Sequence, residues 1–151
     1  MLHKKLSYDI IGCAMRAHTY LGKGYQEKVY QRALELEFQM AGIKYEREKR
    51  MEIIYRNGDS IGGRRVDFLV DDKIMVELKG VANLTDEDKM QTNNYCRIYN
   101  LPFGLLVNFG APSLQYHRIF NLEHPVNIAW KKENKNRNTN GRDPNQSSKS
   151  K

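Results

Sequence analysis

The chain has 151 residues, 40% of them hydrophobic, and a mean hydropathy of −0.73, which fits one soluble domain with an ordinary core and calls for no second one. No apolar run approaches the roughly 18 residues of a membrane span, and the N-terminal Met1 to Asp9 lacks the apolar stretch of a secretory signal, so a cytoplasmic protein without a membrane partner is expected. Cys13 and Cys96 stand far apart and outside any Cys-x-x-Cys spacing, so neither a disulfide framework nor a structural zinc site is indicated. The net charge of +7 invites a nucleic-acid partner, but residues 131–151 alone carry seven Lys or Arg against two acids. That segment has no apolar residue to bury and is expected to be a basic disordered tail beyond a domain of residues 1–125.

Leu6, Ile10, Ala14, Ala17 and Leu21 recur at helical spacing, and Gly22 supplies a stop. A second helical pattern runs through Val29, Ala33, Leu34 and Ala41 to Gly42. From Ile43 the chain alternates through Met51, Ile53 and Tyr55 to a hairpin turn at Asn57-Gly58, and a second strand is predicted from about Ile61 to Val70. Ile74, Val76 and Leu78 mark a third strand, complete by Gly80. Thr85 followed by three acids reads as a capping turn that opens a helix to about Tyr99. Phe103–Phe109 and Leu114–Phe120 have strand length and composition. The order ααβββαββ predicts an α/β fold, a mixed sheet flanked by helices.

Asp67, Glu77 and Lys79 interrupt the apolar pattern of one predicted hairpin. Desolvating two carboxylates side by side calls for a cation, and a bound metal supplies one. Register decides whether they can share it. A two-residue Asp71-Asp72 loop sets Asp67 opposite Val76 and aims it away from Glu77, whereas a three-residue loop ending at Lys73 pairs Asp67 with Glu77. The second arrangement is expected. Two carboxylates with the Leu78 carbonyl and waters form a hard oxygen set suited to Mg²⁺ or Mn²⁺, and Lys79 could orient or deprotonate an attacking water. Such chemistry cleaves phosphodiesters. Glu-x-Lys also occurs at Glu87 and Glu133, so the signature gains its meaning from the strand context alone. The structural alternative is a salt bridge from these acids to Lys79 or Arg65.

Glu27 lies near the start of the second helix, where the helix dipole favours a carboxylate. Gln91 and Tyr95 stand four apart on the later helix and can present an amide and a phenol to one ligand. With these residues in view, the chain resembles a known family. Gly24-x-x-Glu27-x-x-Tyr30 looks like the signature of the GxxExxY proteins, and Arg65–Val70, Val76–Lys79 and Gly104–Gly110 look like their other blocks. Those proteins are similar to the PD-(D/E)xK nuclease-like superfamily. The resemblance implies a restriction-endonuclease-like core over roughly residues 5–120, with Asp67, Glu77 and Lys79 as its central motif. It also implies that Gln91 and Tyr95 match the QxxxY motif of RecB-like nucleases and that Glu27 is an additional acid. Val66 stands where the superfamily name has proline.

Lys49, Arg64 and Arg65, on the first two strands, are candidate nucleic-acid contacts, although basic residues on an edge strand also deter aggregation. The four histidines form no paired ligand motif and receive no catalytic role. The reading expected is a Mg²⁺- or Mn²⁺-dependent nuclease acting on DNA. Asp67, Glu77, Leu78 and Glu27 are its metal ligands, and Lys79, Gln91 and Tyr95 complete the catalytic set. The alternative is a catalytically idle nucleic-acid-binding or protein-interaction module on the same fold, and a small-molecule phosphate hydrolase is a third reading.

Overall fold

The computed structural model of the protein describes residues 2–140. Helices α1 (Lys4–Leu21) and α2 (Glu27–Met40) precede strands β1 (Tyr45–Ile54), β2 (Ser60–Val70) and β3 (Ile74–Lys79). Helix α3 (Asp86–Ile98) leads to β4 (Phe103–Asn108) and β5 (Gln115–Phe120), and α4 (Pro125–Asn140) follows. The strands form one sheet in the order β1-β2-β3-β4-β5. Neighbours are antiparallel except β3 and β4, a parallel pair that α3 connects. The predicted α/β architecture is therefore the one observed.

Local chemistry explains the boundaries. At the end of α1, Gly22 takes φ +71° and donates its N–H to His18 O at 2.8 Å, a conformation that favours glycine. Thr85 and Asp88 form a reciprocal capping box at the start of α3, with bonds of 3.2 and 3.0 Å. Val70 pairs with Ile74, so Asp71, Asp72 and Lys73 make the three-residue turn expected from the sequence. Asp71 and Asp72 take φ 51° and 55°, which short polar side chains tolerate better than branched ones.

Two apolar layers hold the sheet. On one face Ile10, Ala14, Tyr30, Leu34 and Phe38 of α1 and α2 pack on Phe68, Val70, Val76, Leu78 and Leu105. Phe38 meets Phe68 edge-on at 5.1 Å between ring centroids. Each large side chain buried there contributes about 1.5–3 kcal/mol, so this layer dominates folding. Under α3 the opposite layer is thin, built from Val66, Met75 and Cys96 with Met51, Tyr95, Tyr99 and Leu101 at its margin. A Cβ on Gly104 would come within 2.9 Å of Cys96 Sγ, so α3 sits close on β4.

One element is additional to the expected order. Helix α4 takes in residues 131–140 of the segment predicted as a disordered tail, while residues 141–151 lie outside the described residues. Pro125 opens it, where a missing N–H does no harm, and the Asn127 amide donates to Pro102 O at 2.6 Å and Asn121 O at 2.7 Å. Apolar positions stop at Trp130, so the sequence offers little helical periodicity beyond that point. Among the described residues, no helix is long and apolar enough to cross a membrane.

Candidate active site

The ladder between β2 and β3 closes at Phe68 opposite Val76 and goes no further. Beyond it the two strands part. Val66 belongs to the layer under α3 and Phe68 to the layer under α1 and α2, although regular alternation would put both on one face. The strand thus rotates at Asp67, beside Glu48 of β1, which takes φ 52° between the pairs Arg47–Phe68 and Lys49–Val66. Asp67 fills the opening. Its Oδ2 accepts the Leu78 N–H at 2.9 Å, serving the strand where the ladder no longer does, and its Oδ1 accepts from Gln31 Nε2 at 3.0 Å.

Glu77 is buried on β3, with only 3% of its surface exposed. Arg64 pairs with its Oε2, while its Oε1 is buried without a hydrogen-bond partner. Burial, reinforced by the nearby charge of Asp67, pushes the Glu77 carboxyl up to about 7 in spite of Arg64. Burial also raises Asp67, against the opposing effect of the Leu78 N–H and the Gln31 amide. Both acids therefore resist ionisation in a site with too little positive charge. The same burial, aided by Glu77, lifts the Cys96 thiol beneath them to about 12, which makes it inert packing.

Helix α2 supplies the next residues. Glu27, in its first turn, accepts the Gly80 N–H through Oε1 at 3.2 Å, which docks the helix on the chain just after Lys79. Tyr30 is fully buried, donates to Gly22 O at 2.5 Å and accepts from Tyr25 N at 3.3 Å. With Gly24 at φ +110°, the spacing Gly24-x-x-Glu27-x-x-Tyr30 is thus a device for turning the chain between α1 and α2 and seating α2 against the end of β3. Gln31 follows Glu27 by four residues on the same helix face, the one signal by which the sequence could have disclosed it.

A second clamp acts from β4. The buried Asn108 amide donates to Val81 O and Gln115 Oε1, and its Oδ1 accepts from Val81 N and Gly110 N, all within 3.0 Å. A Cβ on Gly110 would lie 2.4 Å from Val81 O and 2.5 Å from Val81 N, so only glycine lets the segment after Lys79 pass. His18 joins the same corner through a 3.0 Å contact with Ala111 O.

The remaining candidates divide. Lys79 lies 3.7 Å from Asp88, the capping residue of α3, and keeps 26% of its side chain exposed. Tyr95 lies beneath the Arg64 guanidinium, 4.4 Å from ring centroid to Cζ, and stacks on Tyr99. Gln91 is exposed on α3, and its side chain has no hydrogen-bond partner among the described residues. Lys49 is paired with Glu46 at 3.0 Å, and Arg65 is exposed. The counter-ion of Glu77 is thus Arg64, neither Lys79 nor Arg65.

These features meet at the rim of a mixed sheet, on strands that part around two acids. A family model for the PD-(D/E)XK nuclease superfamily matches residues 4–119. The chain belongs to that superfamily. Among solved structures, the one described as the crystal structure of SSO0001 aligns over 83% of this chain and 72% of its own, at 17% identity and a TM-score of 0.43. No curated protein matches the chain.

Membership of the PD-(D/E)XK superfamily implies a Mg²⁺ or Mn²⁺ ion, and the side chains present fit one. The buried, unpartnered Glu77 Oε1 and the excess negative charge shared with Asp67 both call for a cation. Among the described residues no three His, Cys, Asp or Glu side chains converge on one point. Asp67 and Glu77 supply the one or two carboxylates that Mg²⁺ takes alongside its waters.

Proposed function

We propose that this PD-(D/E)XK protein is a Mg²⁺- or Mn²⁺-dependent nuclease of the GxxExxY type that hydrolyses the phosphodiester bonds of DNA. The observation that carries the reading is the buried Glu77 oxygen left without a partner beside Asp67. Asp67 and Glu77 would hold the ion with the Leu78 carbonyl, and Glu27 would reach it through water. When bound, the ion would supply positive charge against the negative charge developing on the phosphodiester and lower the pKa of the attacking water. Lys79, held near Asp88, orients that water. Tyr95 steadies Arg64, and exposed Gln91 and Arg65 meet the substrate backbone.

A catalytically idle binding module on the same fold is the rival, and one observation favours it: Arg64 already answers one oxygen of Glu77. Incubation with circular and linear, single- and double-stranded DNA and with RNA, in Mg²⁺, Mn²⁺ or EDTA, separates the two. Cleavage is expected with either metal, none with EDTA, and none for Asp67→Asn or Glu77→Gln. Wild-type protein that binds DNA without cutting any of the panel establishes the rival.

A further inference from the structure

We infer that Arg64 is a built-in counter-ion that competes with the divalent cation for Glu77, so that loading the ion and releasing the guanidinium are one event. The inference rests on the metal-dependent reading above and adds a role for a residue outside the acid-acid-lysine motif.

Arg64 sits on β2 three residues before Asp67, and its side chain is 27% exposed against 4% for Glu77. A pair built only for stability satisfies the buried carboxylate, because each unpartnered oxygen in a dry site is unfavourable. Here Glu77 keeps Oε1 unpartnered, and Asp67 adds a second negative charge within electrostatic reach. One guanidinium faces two carboxylates. A divalent ion matches that charge, and it needs the Glu77 carboxylate that Arg64 holds. The guanidinium has a resting place that needs no acid, the face of Tyr95 4.4 Å below it. The other cation nearby, Lys79, is engaged by Asp88. Once free, Arg64 offers a planar fork of donors suited to phosphate oxygens, beside the acids that hold the ion. Linkage is reciprocal, so whatever draws Arg64 away from Glu77 must tighten the ion by the same factor.

Calorimetric titration of Mn²⁺ into the full chain tests this, comparing wild type with Arg64→Met, Arg64→Lys, Arg65→Met and Glu77→Gln. Methionine keeps an unbranched side chain at this position but removes the charge. Arg64→Met is expected to bind Mn²⁺ about tenfold more tightly than wild type or better, and Arg64→Lys to fall between them. Arg65→Met loses the same charge from the neighbouring exposed position and is expected to change affinity by less than about threefold. If Arg64→Met is not folded by circular dichroism, the tightening in Arg64→Lys decides. Equal tightening in Arg65→Met, or no tightening at position 64 while Glu77→Gln still abolishes binding, overturns the inference and leaves the metal site standing. No Mn²⁺ binding by any of the proteins overturns both.

Discussion

Replacing Glu77 with glutamine should make the metal-free protein more stable at neutral pH. Burial, then the charge of Asp67, raises the Glu77 carboxyl from 4.5 to about 7 in the folded chain. Between those values the folded protein keeps a proton that the unfolded chain has released, so the stability this group contributes falls as pH rises through the window and is gone above it. At about 1.4 kcal/mol per pKa unit, the ionised Glu77 destabilises the fold by about 3 kcal/mol. Glutamine keeps the shape and an acceptor for Arg64 without the charge. Urea unfolding in EDTA, repeated from pH 4.5 to about pH 8, measures the difference. Wild type is expected to lose about 3 kcal/mol more than the variant over that range. Parallel pH profiles, or a variant less stable than wild type at the alkaline end, would refute the claim that this acid is held against its preference.

Other outcomes follow from the same contacts. Excess Mn²⁺ at about a hundred times its dissociation constant should stabilise wild type by about 2.7 kcal/mol, seen as a rise in Tm that Glu77→Gln does not show. Gly110→Ala drives a methyl into the Val81 backbone and should destabilise the fold by about 3 kcal/mol, read by chemical denaturation. Tyr30→Phe leaves Gly22 O without its buried donor, and a loss of about 1–2 kcal/mol is expected in the same assay.

Apolar periodicity and turn chemistry were enough to reveal α1 to β5, because each element carries its own signal: the stop at Gly22, the capping box at Thr85, the turn of Asp71 to Lys73. The sequence also made Asp67 and Glu77 stand out as acids in apolar strands. What it could not disclose depends on contacts between distant segments. The rotation of β2 at Asp67 turns that carboxylate to the Leu78 N–H and to Gln31, a residue that periodicity alone presents as an ordinary polar position on α2. Likewise, Arg64 and Arg65 look alike in sequence, and only the face each occupies gives one of them Glu77. Asn108 and Gly110 appeared in a family block without a role, since their partner Val81 lies 27 residues upstream of Asn108. Helix α4 escaped notice because its apolar residues end within two turns.

Strand β2 pairs with both neighbours only from Phe68 to Val70, and over Ser60 to Val66 its ladder runs to β1 alone. The acids and the arginine that answers them therefore stand on supports of unequal stiffness. Glu77 is anchored on β3 by its pairing with Leu106 of β4, whereas Arg64 rides on a two-stranded arm that can bend without opening the main apolar layer. Amide exchange should be slow along β3 and fast toward Ser60, which gives the arginine freedom to travel while the carboxylates keep their places.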